Sequence, residues 1–215
     1  MDTAARFLIL GIGNVLWADE GFGVRCVEHL NQHWVFPERV ALLDGGTQGI
    51  YLVQHVQSCD VLVVFDAIDY GLTPGTLKIV RDDEVPKFMG AKKMSLHQTG
   101  FQEVLAMAEF TGGYPKELLL VGVQPQALED FGGSLTPPVR QQLAPAVQIA
   151  LDFMAERGVV PIPRKEDTGA TQDGANGPVA LSPEQLALAE YEQGRPSQDH
   201  ACRHGDIRFM PKETR

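Results

Sequence analysis

"GIGNVLWADEGFG" spans residues 11–23, directly after the apolar run "RFLIL" at residues 6–10. A glycine-bearing turn that closes a buried strand and opens a helix is how a doubly wound α/β sheet begins. As a dinucleotide turn it fails twice. The third glycine position is Leu16, and Asp19 and Glu20 place negative charge where a pyrophosphate must lie. The same turn with acids in place of glycines suits a cation.

Outward from this turn, apolar runs alternate with helical patterns over the first 160 residues or so, the order that yields a mostly parallel sheet with helices on both faces. Residues 6–13, 39–46, 60–68 and 117–124 read as buried parallel strands. "GTLKIVR" at 75–81 alternates polar and apolar residues and reads as an antiparallel edge strand. The expectation is a three-layer α/β fold built on five strands. Val24, Val27, Leu30 and Trp34 recur at helical spacing, with Asp19 as the expected N-cap, and residues 48–57 suggest a short second helix. Phe101, Val104, Leu105 and Ala108 make the stripe of a longer helix. Two capping boxes compete for its start, Ser95 with Gln98 and Thr99 with Gln102. A last helix is expected from Pro137 to Gly158, with Val139, Leu143, Val147, Leu151 and Met154 on its core side and a kink at Pro145.

Residues 1–163 thus form one expected domain. Residues 164–215 read as a polar, mobile tail with a short helix at 183–193, where Ser182, Pro183 and Gln185 carry start signals.

The formal charge of -10 disfavours a nucleic-acid surface. Cys26, Cys59 and Cys202 are too scattered for a disulfide framework, and the N-terminal apolar stretch is too short for a signal peptide or membrane span. Both point to the cytoplasm. No G-x-S-x-G elbow or H-E-x-x-H helix is present, neither Cys26 nor Cys59 has a histidine nearby in sequence, and "HACRH" at 200–204 lies in the tail.

Asp66 closes the third strand. In a sheet ordered 2-1-3 the crevice opens between the ends of strands one and three, which Glu20 and Asp66 would border. Two carboxylates in one pocket repel, so they share a proton, recruit a base or bind a metal. His97, near the start of the next long helix, would complete an O,O,N site with open positions, suited to a divalent transition ion. Taken singly, each has an ordinary reading: a first-turn acid, a loop cap and a surface histidine. Their convergence is what favours ligation. Asp44, in "LLDGGT", reads equally as a residue that positions the crevice or as an Asx turn.

"GIGNVLWADEGFGVR", "LLDGGTQG", "VVFDAIDYG" and "SLHQTG", in this order and spacing, resemble the maturation endopeptidases of nickel-iron hydrogenases over about residues 6–158. The resemblance implies a twisted five-stranded sheet between helices. It also implies one cut that removes a C-terminal peptide from a hydrogenase large-subunit precursor after nickel insertion, with Glu20, Asp66 and His97 as metal-binding residues. Nickel supplied by the precursor is the expected metal, and the precursor the expected partner, with neither nucleic acid nor membrane involved. In catalysis the same three residues would act, with Asp44 a further candidate. The alternative is a noncatalytic nickel checkpoint or assembly chaperone that binds the precursor without cutting it.

Overall fold

The computed structural model describes residues 4–89, 96–164, 179–181 and 184–195; for 87–89, 96–99, 179, 180 and 185 it describes the backbone alone. Five strands carry the architecture: β1 (Phe7–Ile12), β3 (Val40–Gly46), β4 (Val61–Ala67), β5 (Leu77–Arg81) and β6 (Glu117–Val123), in the order β5-β6-β4-β1-β3. All neighbours are parallel except β5, which runs antiparallel to β6 at the edge. A two-residue strand, β8 (Val179–Ala180), extends the sheet beyond β3 in parallel. The expected strands are therefore all present, and 2-1-3 is the order of the first three.

Side-chain alternation along the central strands divides the core in two. Phe7 and Ile9 of β1, with Val61, Val63 and Phe65 of β4, face α1 (Phe22–His33) and α6 (Leu143–Ala155). Leu8, Leu10, Leu62 and Val64 face α2 (Val53–Gln57), α4 (Leu96–Phe110) and Val85 of α3 (Glu84–Met89). The stripes expected for the first, fourth and last helices are buried except for Trp34, which is half-buried. Among the described residues no helix is long and apolar enough to cross a membrane.

Three local expectations are corrected. α1 ends at His33, and Trp34 instead opens β2 (Trp34–Val35), which pairs antiparallel with β7 (Ile162–Pro163). The last helix is two: α5 (Pro137–Arg140), entered from the extended Thr136, then α6 after a break at 141–142. The interruption expected at Pro145 falls one turn earlier, at 141–142: proline offers no N–H to the Gln141 carbonyl, and Pro145 becomes the third residue of α6. Finally, the N-cap of α1 is Gly21, with no side-chain cap, so Asp19 has another task.

Candidate active site at the carboxyl ends of the strands

Two close approaches set the position of the opening turn. A β-carbon on Gly23 would lie 2.2 Å from the Phe65 carbonyl oxygen and 2.3 Å from that of Ile12, and one on Gly11 would lie 2.3 Å from the carbonyl oxygen of Gly23. The first turn of α1 is thus pressed onto β1 and β4, work that a third fingerprint glycine does in nucleotide folds. Between strand and helix, Ala18–Gly21 form a 3-10 turn, with Ala18 at φ 43°, an uncommon conformation for a residue with a side chain.

Asp19 is fully buried and fixes this turn from within. Its carboxylate accepts from the backbone N–H groups of Gln126 (2.8 Å), Ala127 (2.9 Å) and Thr136 (2.7 Å) and from the Thr136 hydroxyl (2.9 Å). Its own N–H donates to the Ala127 carbonyl. A buried carboxylate is tolerable only when such donors replace water. Asp19 therefore ties the β1 turn to the loop that follows β6, two strands away. Trp17 adds an edge-on ring contact with Phe131, centroids 5.2 Å apart, and Phe22 is core.

The turn packs against β4, the strand that carries Asp66. Asp66 is fully buried, sits opposite Gly122 of β6, and shares its side of the sheet with Leu62 and Val64, the α4 side. Glu20 is half-buried, and desolvation raises its pKa from 4.5 to about 7. Burial first, then the Asp66 carboxylate, pushes the Tyr70 phenol up, so Tyr70 is a neighbour of Asp66. Residue 97 lies in the first turn of α4, whose Gly100 backbone passes Gly49 just beyond β3. The His97 imidazole lies outside the described side chains, as do the competing capping boxes. Among the described residues no three histidine, cysteine or acidic side chains group around one point.

Asp44 makes the Asx turn: its Oδ1 accepts from the Gly46 N–H at 2.8 Å. The Gly46 carbonyl in turn receives the Gly13 N–H at 3.0 Å, so this turn also supports the loop leading to Glu20. The bond observed is that of the Asx-turn reading. Asp69 makes a similar turn to Gly71, and Gln124 organises the loop after β4, accepting from the Tyr70 and Leu72 N–H groups while donating to Asp69. Gln124, like the cross-loop role of Asp19, escaped sequence reasoning. Only the isolated polar position at the end of the apolar run "ELLLVGVQ" hinted at it. Cys26 and Cys59 are buried thiols; burial pushes Cys26 up, and burial with the Asp60 charge pushes Cys59 up to about 12, so neither supplies a thiolate nucleophile.

Fold and site together define a doubly wound α/β domain that carries Glu20 and Asp66, in place of a phosphate-binding glycine turn, at the carboxyl ends of its first and third parallel strands. Residues 24–153 match the sequence profile of the hydrogenase maturation proteases. The hydrogenase expression/formation protein HoxM of Azotobacter vinelandii is 66% identical over 211 residues, 98% of this chain and 97% of its own length. The hydrogenase 2 maturation protease of Escherichia coli is 45% identical over 161 residues, 74% of this chain and 97% of its own. Among solved structures, the hydrogenase maturating endopeptidase HybD of Escherichia coli superposes with a TM-score of 0.71 at 44% identity, covering 75% of this chain and 99% of that one. The chain belongs to the hydrogenase maturation protease family, and it is an endopeptidase.

Proposed function

We propose that the protein removes a C-terminal peptide from the nickel-loaded large-subunit precursor of a nickel-iron hydrogenase, and that Glu20, Asp66 and His97 receive the nickel the precursor brings. What supports this reading is that Asp66, fully buried, lies at the carboxyl end of β4, while Glu20, desolvated, sits in the turn that follows the adjacent β1 and packs on β4. Carboxylates removed from water in one crevice are relieved by a cation, and with an imidazole they make a donor set for a divalent transition ion.

In this reading the metal ion, when bound, supplies Lewis acidity toward the scissile carbonyl and toward water. The chain's own residues do the rest. Asp19 and Asp44 hold the loops that orient Glu20. Without metal, burial raises Glu20 to about 7, so it holds a proton near neutrality that binding of a cation would displace. No serine or cysteine nucleophile is required. Recognition is metal-gated: a precursor without nickel offers nothing for the three side chains to grip.

The test is incubation of purified protein with nickel-loaded precursor, read as a mass loss of the large subunit, beside the same precursor made without nickel. Binding without mass loss would favour the checkpoint reading, and cutting of both precursors would remove nickel from the recognition step.

A further inference from the structure

Residues 179–181 and 184–195 lie beyond the stretch that matches the family profile, yet they reach the candidate site's own supports. Val179 and Ala180 pair with Leu42 and Leu43, and Leu181 and Leu188 pack against the α1/α6 core. Arg25 of α1, 3% exposed, donates to Glu28 and to the Leu186 carbonyl, and its guanidinium lies 5.5 Å from the centroid of the Tyr191 ring. Glu28 accepts from the Leu188 N–H at 2.7 Å. The expected helix at 183–193 is realised as a 3-10 turn, Glu184–Leu186, and then α7, Leu188–Gly194.

From α7 two side chains reach the loop whose two ends, at 126–127 and 136, Asp19 holds. The Tyr191 hydroxyl donates to the Gly133 carbonyl at 3.2 Å. Glu192 accepts from the Ser134 hydroxyl at 2.6 Å and takes both Arg140 N–H groups at 2.8 and 2.7 Å. An exposed ion pair alone holds little. The two-pronged Arg140–Glu192 geometry and the buried Arg25 are the stronger attachments. The loop at 125–136 is therefore clamped twice, by Asp19 toward the Glu20 turn and by the tail from outside. Phe131, 47% exposed, stands between the clamps against Trp17.

We propose that residues 179–181 and 184–195 form a strap that holds the 125–136 loop against the Glu20 turn, making Arg25 and Glu192 positioning residues that govern how the protein engages its protein substrate. This rests on the precursor-processing reading above.

The test uses the full chain carrying Trp34→Phe, so that Trp17 is the only tryptophan. Acrylamide quenching of Trp17 then reports the loop directly. Adding Tyr191→Phe and Glu192→Ala should raise the quenching rate about twofold and the KM for precursor roughly 3- to 10-fold, with kcat within about twofold. Glu192→Gln, which keeps an acceptor for Ser134, should recover part of both changes. Unchanged quenching and KM in a variant with native circular dichroism overturn the proposal, as does a fall in kcat alone. Should the double variant fail to fold, Arg140→Ala breaks the same pair from its exposed end and carries the test with the same readouts. A parent chain that leaves the precursor uncut refutes the processing reading, while Trp17 quenching still decides whether the strap holds the loop.

Discussion

A β-carbon on Gly13 would lie 1.7 Å from the carbonyl oxygen of Glu20. The backbone of the Glu20 turn rests directly on this glycine, whose φ of 128° is itself one that residues with side chains rarely adopt. Gly13→Ala is therefore expected to cost more than about 2 kcal/mol of stability and to displace Glu20, since neither contact partner is a side chain that can swing away. Urea denaturation and precursor processing check both parts; wild-type processing by this variant would uncouple the turn from the chemistry.

Asp19→Ala leaves three part-buried backbone N–H groups, those of Gln126, Ala127 and Thr136, without their acceptor. The expected loss is about 2–4 kcal/mol. Hydrogen exchange should quicken at 126, 127 and 136 before it does in β4. Uniform quickening across the sheet would show that the loop and core open together, contrary to expectation.

Glu20→Gln should separate stability from activity. The folded pKa of Glu20, about 7, stands above its ordinary 4.5, so between those values the folded state binds more proton than the unfolded chain. Stability contributed by the protonated acid is fully present below 4.5 and lost as pH rises through 7. The amide keeps the neutral form at every pH. In metal-free protein the variant should melt with wild type at pH 4 and above it at pH 8, while processing disappears. Coincident melting temperatures at pH 8 would contradict the desolvation that raises this group.

His97→Ala and Asp66→Asn are each expected to leave the circular dichroism spectrum intact and to abolish both processing and nickel uptake measured by calorimetry. Full processing by His97→Ala would remove that residue from the site.

Asp60 offers a control away from the site. The Arg6 backbone N–H first, and then Lys116, hold its carboxyl below the usual range. A depressed acid stabilises the fold above its unfolded pKa and loses that contribution as pH falls through the folded value. Asp60→Asn should therefore flatten the acid side of a thermal-stability profile and leave processing untouched; an unchanged acid limb would show the pairing to be without consequence.

The strands and helix faces were legible because each is written locally: "VLVVFDA" can only be a buried strand, and Phe101, Val104, Leu105 and Ala108 mark one side of α4. The placement of Glu20 and Asp66 at the carboxyl ends of adjacent strands was legible because the switch point follows from strand order. Asp19 was misread because a first-turn acid looks the same whether it caps its own helix or accepts from residues 107 to 117 positions away. The two-residue pairing of Trp34–Val35 with Ile162–Pro163 carries no periodicity at all, and a tertiary contact creates it.

The pairing of Val179–Ala180 with Leu42–Leu43 also bears on how sister molecules behave toward each other. An apolar strand margin left bare offers its amides and carbonyls to any passing chain, the first step toward sheet-to-sheet aggregation. Here the chain's own continuation occupies part of that margin. At the opposite margin, β5 presents Lys78 and Arg81, whose charge discourages a neighbouring strand from adding on. Protection of one sheet margin thus comes from the same C-terminal continuation that braces the loop.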